Sequence, residues 1–251
     1  MTTADPTTLT SPTSAPSHAA TEAAPRRQIV QFGFYKLDPE FRRLDSATKH
    51  AAKQEFLTAA GQKYEELICL SYSTVGLKAD VDFLFWRIAY SSDTLQSQSA
   101  ALNRTVLGSY LTTPVSFLSM TKRSLYMDPS DPFHDVESRT RLIPGKRKYL
   151  FVYPFVKSRP WYLLPMDERQ KIMEEHIKMG NKYPSVKLNT TYSFGVDDQD
   201  FVVAFETNEM KDFLDLVQDL RETESSRYTV RDTPMYTAVR TPLEEILGQL
   251  F

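Results

Sequence analysis

Cysteine is nearly absent from this 251-residue chain and histidine is scarce: Cys69 stands alone, and the histidines are His18, His50, His134 and His176. One cysteine excludes an intramolecular disulfide framework and any metal site built from several thiolates. In the context ICLSYSTVGL, Cys69 reads as a small buried hydrophobe, and a reducing, cytoplasmic setting fits. No apolar run approaches the roughly 20 residues that a membrane span needs. Neither sign of charge dominates, since 30 Lys and Arg stand against 32 Asp and Glu. With no basic block, nothing points to a nucleic-acid partner. Residues 1–27 contain no aromatic residue and no basic residue before Arg26. That segment lacks the charged and apolar regions of a secretory signal and is expected to be a disordered tail.

What is present is a globular composition, 41% hydrophobic and 12% aromatic, enough for one large or two smaller domains. The first half reads as strand 28–37, a helix over Pro39–Glu66, strands 68–77 and 81–89, a helix over Asp93–Leu111 and strand 115–123. The second half repeats that order: strand 148–156, helix Met166–Gly180, strands 186–195 and 200–207, helix Met210–Thr223 and strand 235–241. The hairpin Gly76–Phe83 matches Gly195–Phe201 with one residue inserted, a degenerate internal repeat. The expected fold class is α+β, two ferredoxin-like βαββαβ units whose sheets meet face to face. The expected domains are 28–125 and 148–251, joined by a linker over 126–147.

The helix Met166–Gly180 carries the candidate chemistry. Pro165 and Gly180 bracket it as start and stop signals, and Ile172, Met173 and Met179 share the face of His176. A neutral imidazole on an apolar face suits a core histidine bonded to a carbonyl, and it equally suits an axial haem ligand. Periodicity does not separate the two.

Five blocks in order do. They are Tyr153-Pro-x-x-Lys157, Trp161-Tyr-Leu-Leu-Pro165, His176-x-x-x-Gly180-x-x-Tyr183, Ser193-Phe-Gly195-Val-Asp-Asp198 and Arg221-x-x-Glu224-x-Ser226-x-Tyr228. From Ile29 to Phe251 the chain resembles the chlorite dismutase superfamily and, within it, the coproheme decarboxylases. The resemblance implies a dimeric α/β-barrel fold, a homopentamer, and a haem or iron coproporphyrin held by His176 as metal ligand. It implies that Glu224 is the carboxylate orienting His176, that Trp161 packs beside the porphyrin, and that Arg221, Ser226 and Arg141 bind propionates. Taken without the family, Arg221 and Glu224 also suit a surface ion pair, and Trp161 simple core packing.

Tyr153 and Lys157 then carry the catalytic expectation. In coproheme decarboxylases the tyrosine of this block passes oxidising equivalents from a peroxide-oxidised porphyrin to a propionate, which leaves as carbon dioxide, while the lysine assists proton movement. At the distal position, seven residues before the glycine of the Gly-x-Asp-Asp turn, chlorite dismutases carry arginine and this chain has Leu188. Leucine offers no charge or hydrogen bond to chlorite. Phe155 replaces the methionine that often follows the tyrosine-proline pair, and His134, in DPFHDV, does not match the distal-histidine motif of actinobacterial members. The implied function is peroxide-dependent decarboxylation of iron coproporphyrin III to haem b. A non-catalytic haem-binding or sensing protein, and a chlorite dismutase or weak peroxidase, are the alternatives.

Overall fold

The computed structural model describes residues 26–126 and 141–251. Residues 1–25 of the expected tail and 127–140 of the expected linker, His134 among them, lie outside the described residues.

The first half runs β1 (Ile29–Leu37), α1 (Pro39–Arg42), α2 (Ser46–Ala60), β2 (Ile68–Ser73), β3 (Phe83–Ala89), α3 (Ser92–Asn103), α4 (Val106–Ser109) and β4 (Leu111–Met120). The second runs β5 (Tyr149–Lys157), α5 (Arg159–Leu163), α6 (Met166–Gly180), β6 (Lys187–Tyr192), β7 (Phe201–Thr207) and α7 (Met210–Arg221). A 3-10 turn (Glu224–Tyr228), β8 (Thr229–Arg231), β9 (Tyr236–Arg240) and α8 (Leu243–Leu250) follow.

Two expected helices divide, each at a capping side chain, the strands expected over 68–77 and 186–195 end at Ser73 and Tyr192, and α5 and α8 are additional to the expected elements. The helix expected over Pro39–Glu66 is two helices, because the Asp45 carboxylate accepts the Thr48 N–H at 3.0 Å and starts α2 afresh. The helix expected over Asp93–Leu111 divides at Thr105, whose hydroxyl accepts the Gly108 N–H at 2.9 Å, and Leu111 passes into β4. In α8 the apolar positions Leu243, Ile246, Leu247 and Leu250 keep one face buried.

Each half forms a four-stranded antiparallel sheet with the same strand order, β4-β1-β3-β2 and β6-β7-β5-β9. The sheets face one another across a shared core and also join edge to edge. β2 pairs with β9 at Tyr72↔Arg240 and Ser73↔Val239, and β4 with β6 at Met120↔Tyr192, which closes an eight-stranded barrel. Closure covers sheet edges that would otherwise invite pairing with another chain. The barrel interior holds Phe32, Phe34, Tyr72, Trp86, Leu150, Val152 and Val202, and the helices cover the outer surface.

The repeat is visible in hydrogen bonds. Asp82 at the end of the first hairpin accepts the Leu37 N–H at 2.9 Å, and Asp200 accepts the Lys157 N–H at the same distance. Gly76 and Gly195 take φ values of +75° and +69°, the left-handed region that these turns require. The hairpin aspartates thus fix the end of β1 and of β5, and the latter presents Lys157.

Candidate functional site

Side chains alternate along β5, so Leu150 and Val152 enter the barrel while Phe151, Tyr153, Phe155 and Lys157 stand on the outer face. Phe151 stacks on Phe213 of α7 at 3.9 Å, and Tyr153 lies 6.1 Å from the Phe205 ring of β7. This aromatic floor ends at Lys157, whose ammonium sits 4.8 Å from the centroid of the Trp161 ring. Trp161 is buried and packs against Tyr228 at 5.3 Å.

Helix α6 packs against α7 and the 3-10 turn. None of its 15 residues is fully buried, in contrast to the other long helices. Leu188 on β6 pairs with Phe205 and is 51% exposed, an apolar side chain on the same face.

His176 projects from α6 and bonds through Nδ1 to the Ser225 hydroxyl at 2.9 Å. Its Nε2 makes no hydrogen bond among the described residues. Burial pushes the imidazole down to about 4, helped by the charge of Lys157 and opposed by Glu175, so the ring is neutral at pH 7. The Lys157 ammonium donates to the Ser225 carbonyl at 2.5 Å, and burial lowers its pKa to about 8. The Tyr153 phenol is raised by burial first and by Asp232 second, with Arg221 opposing. It makes no hydrogen bond among the described residues.

The expected residues divide into two sets. His176, Lys157 and Trp161 converge around the 3-10 turn, and Tyr153 shares the face of Lys157 within reach of the Arg221–Asp232 ion pair at 3.2 Å. Glu224 does not reach His176: its carboxylate pairs with Arg227 at 3.4 Å, and the imidazole's partner is Ser225, one residue on. The reason is the tight turn, in which Thr223 and Ser225 point inward and Glu224 outward. Ser226 donates to the Arg221 carbonyl at 2.7 Å, where it caps α7. Arg141 is exposed and unpaired among the described residues. Ser225 and Thr223 are the site residues that motif spacing passed over, although both stand at unassigned positions inside the block that ends in Tyr228.

Among the described residues no group of three or more His, Cys, Asp or Glu side chains is arranged to hold a bare ion. A metal held by His176 therefore arrives with most of its ligands already in place, as in a macrocycle. A lone neutral imidazole with a free nitrogen, on a helix that buries none of its side chains completely and beside the aromatic face of β5, fits that kind of group.

The chain matches the chlorite dismutase family model over residues 48–241. It is 34% identical over 179 residues to coproheme decarboxylase of Mycolicibacterium smegmatis, covering 71% of this chain and 75% of that one. It is 27% identical over 226 residues to chlorite dismutase of Ideonella dechloratans, covering 88% and 79%. Its structure is similar to that of a variant chlorite dismutase from Candidatus Nitrospira defluvii, with a TM-score of 0.80 at 26% identity, covering 88% and 94%.

Proposed function

Because the chain belongs to the chlorite dismutase family, whose members bind haem, we propose that it decarboxylates iron coproporphyrin III to haem b with hydrogen peroxide as oxidant. For each of two propionates the carboxylate carbon leaves as carbon dioxide, one C–H bond breaks and a vinyl double bond forms, releasing two electrons and one proton. The peroxide O–O bond breaks, takes up two electrons and two protons, and gives two waters. The iron porphyrin is substrate and supplies the oxidising chemistry when bound.

The protein's part follows from its own side chains. His176 would hold iron through Nε2, and Trp161 would flank the ring. Tyr153 keeps its proton at neutral pH, because burial raises its pKa, so it gives up an electron and a proton together. Lys157, lowered to about 8, is a cation at pH 7 that attracts a propionate and is close enough to titration to exchange a proton. Arg221, already paired with Asp232 and 61% exposed in its side chain, would offer its remaining donors to a second carboxylate. Ser226 is engaged at the end of α7, and Arg141 stands apart, so both are weaker candidates for that role. Leu188 gives chlorite no donor, which favours decarboxylation over chlorite conversion. Assembly as a homopentamer and a cytoplasmic location belong to the same reading; among the described residues no helix is long and apolar enough to cross a membrane.

The observation that carries the proposal is Tyr153, a buried phenol without a hydrogen-bond partner among the described residues, on one strand face with Lys157. The test is anaerobic titration with iron coproporphyrin III, addition of peroxide, and mass analysis of the porphyrin. Loss of two carboxyl groups is expected; an unchanged mass overturns the proposal.

A further inference from the structure

The partner of His176 is a hydroxyl, and that hydroxyl has a partner of its own. Thr223 Oγ1 lies 2.7 Å from the Leu220 carbonyl, to which it donates its only proton. It also lies 3.2 Å from Ser225 Oγ. A carbonyl cannot donate and the threonine proton is already committed, so in this contact Ser225 is the donor. Its single proton then points at Thr223, and its oxygen meets His176 Nδ1 at 2.9 Å as an acceptor. The hydrogen between them belongs to the ring.

The first half of the chain supplies an internal control. Leu102, Thr105 and Leu107 stand 118 positions before Leu220, Thr223 and Ser225. Thr105 donates to the Leu102 carbonyl at 2.7 Å, and its oxygen accepts from the Gly108 N–H at 2.9 Å. The threonine hydroxyl therefore points the same way in both repeats. In the first half the residue in Ser225's place is Leu107, fully buried in one cluster with Phe56. A leucine clustered with a phenylalanine there becomes a serine bonded to a histidine here.

We propose that Ser225, oriented by Thr223, is a positioning residue that holds His176 in its Nδ1-protonated tautomer and so leaves Nε2 as the bare donor nitrogen. The geometry stands without any bound group; its purpose rests on the reading of His176 as iron ligand. Lys157 supports the arrangement by bonding the Ser225 carbonyl at 2.5 Å, which ties the turn to the end of β5. A neutral hydroxyl does not draw the Nδ1 proton as a carboxylate does. The imidazole is then a weaker electron donor, and bound iron is more easily reduced than it would be above an aspartate.

The test begins with the protein free of porphyrin, carrying 15N-labelled histidine, at pH 7. Long-range 1H–15N spectra should show the His176 proton on Nδ1. Thr223→Val frees the serine proton to turn toward the ring, and the histidine proton should move to Nε2. Ser225→Thr should retain the wild-type tautomer, and Ser225→Ala should lose the single fixed form. A wild-type ring protonated on Nε2, or spectra unchanged in Thr223→Val, overturns the proposal. If Ser225→Ala fails to fold, the Thr223→Val and Ser225→Thr proteins decide it. These spectra do not involve iron, so they separate this inference from the functional one: absence of any Soret shift after adding iron coproporphyrin ends the latter alone. In the loaded protein Ser225→Asp should lower the iron reduction potential and Ser225→Thr should leave it in place; an unmoved potential in Ser225→Asp removes the proposed purpose.

Discussion

Leu37, Phe41 and Phe56 of the first half stand where Lys157, Trp161 and His176 stand in the second, each pair 120 positions apart. The scaffold around them is shared: the same strand order, a short helix after the first strand, and then a 15-residue helix, α2 or α6. What differs is how the outer face of each sheet is buried. In the first half all three residues are fully buried, and α8, arriving from the far end of the chain, adds Ile246, Leu247 and Leu250 to the same cluster. The second half has no such insert among the described residues, and its long helix buries no side chain completely. One unit is closed with hydrocarbon; the other leaves its long helix incompletely buried and places a cation, an indole and an imidazole at the edge of its aromatic face. Apolar surface next to a few polar groups is what a flat amphiphilic ligand requires.

The largest effect should separate the two helices. Phe56→Ala removes a fully buried ring from a packed cluster and should cost about 3–5 kcal/mol in urea unfolding. His176→Ala should cost less than about 1 kcal/mol in the porphyrin-free protein, because α6 buries none of its side chains completely, while abolishing the Soret shift that binding gives to added iron coproporphyrin. Equal losses of stability in the two variants would break the comparison, and a retained Soret shift would remove His176 from the site. A sharper version converts one half into the other. His176→Phe combined with Ser225→Leu recreates the pairing of Phe56 with Leu107, and should raise stability while eliminating porphyrin uptake.

A smaller, purely kinetic effect is expected at Tyr153. Its counterpart is Gly33, where an added Cβ would come within 2.9 Å of the end of the Gln31 side chain, so in the first half a glutamine amide lies where the ring begins in the second. Tyr153→Phe keeps the stacking with Phe205 and removes only the hydroxyl. Binding of iron coproporphyrin should be unchanged, and carbon dioxide release should fall by about 10²–10⁴-fold, the range typical of losing a proton-transferring group. Trapped carbon dioxide and porphyrin mass give the measurement. Undiminished release would exclude the phenol from the chemistry.

The sequence made the frame legible because its strands alternate and its hairpin aspartates recur; β1, β5 and α6 lie within a residue of where periodicity places them. The breaks at Asp45 and Thr105 were harder to see, since helix-favouring residues continue through both and only a side-chain cap interrupts them. The i, i+3, i+4, i+7 pattern of α8 is plain in LEEILGQL, but periodicity says nothing of its docking on the opposite half. The same limit applies at the site. Motif spacing located His176, Lys157 and Trp161, because each stands at a fixed place on a regular element. It assigned Glu224 rather than Ser225 as the imidazole's partner, since a 3-10 turn follows neither helical nor strand periodicity and one residue decides which side chain points inward.

The smallest effect concerns Lys157, and it depends on pH. Its counterpart Leu37 has no charge to desolvate, whereas burial holds the folded-state pKa of Lys157 at about 8, against 10.5 for the free side chain. Between those values the unfolded chain binds more protons at this position than the folded one. Stability therefore rises as pH increases from about 8 toward 10.5, and below 8 the buried ammonium carries its full desolvation cost. Lys157→Leu removes that cost, and the porphyrin-free variant should be more stable by about 1–3 kcal/mol at pH 7. Its advantage should shrink as the pH is raised, and urea titrations at pH 7 and pH 10 on both proteins measure the difference. A variant whose advantage does not change with pH would mean that the bond to the Ser225 carbonyl and the contact with Trp161 offset the desolvation of Lys157. The lysine would then stabilise its half of the barrel much as Leu37 stabilises the other.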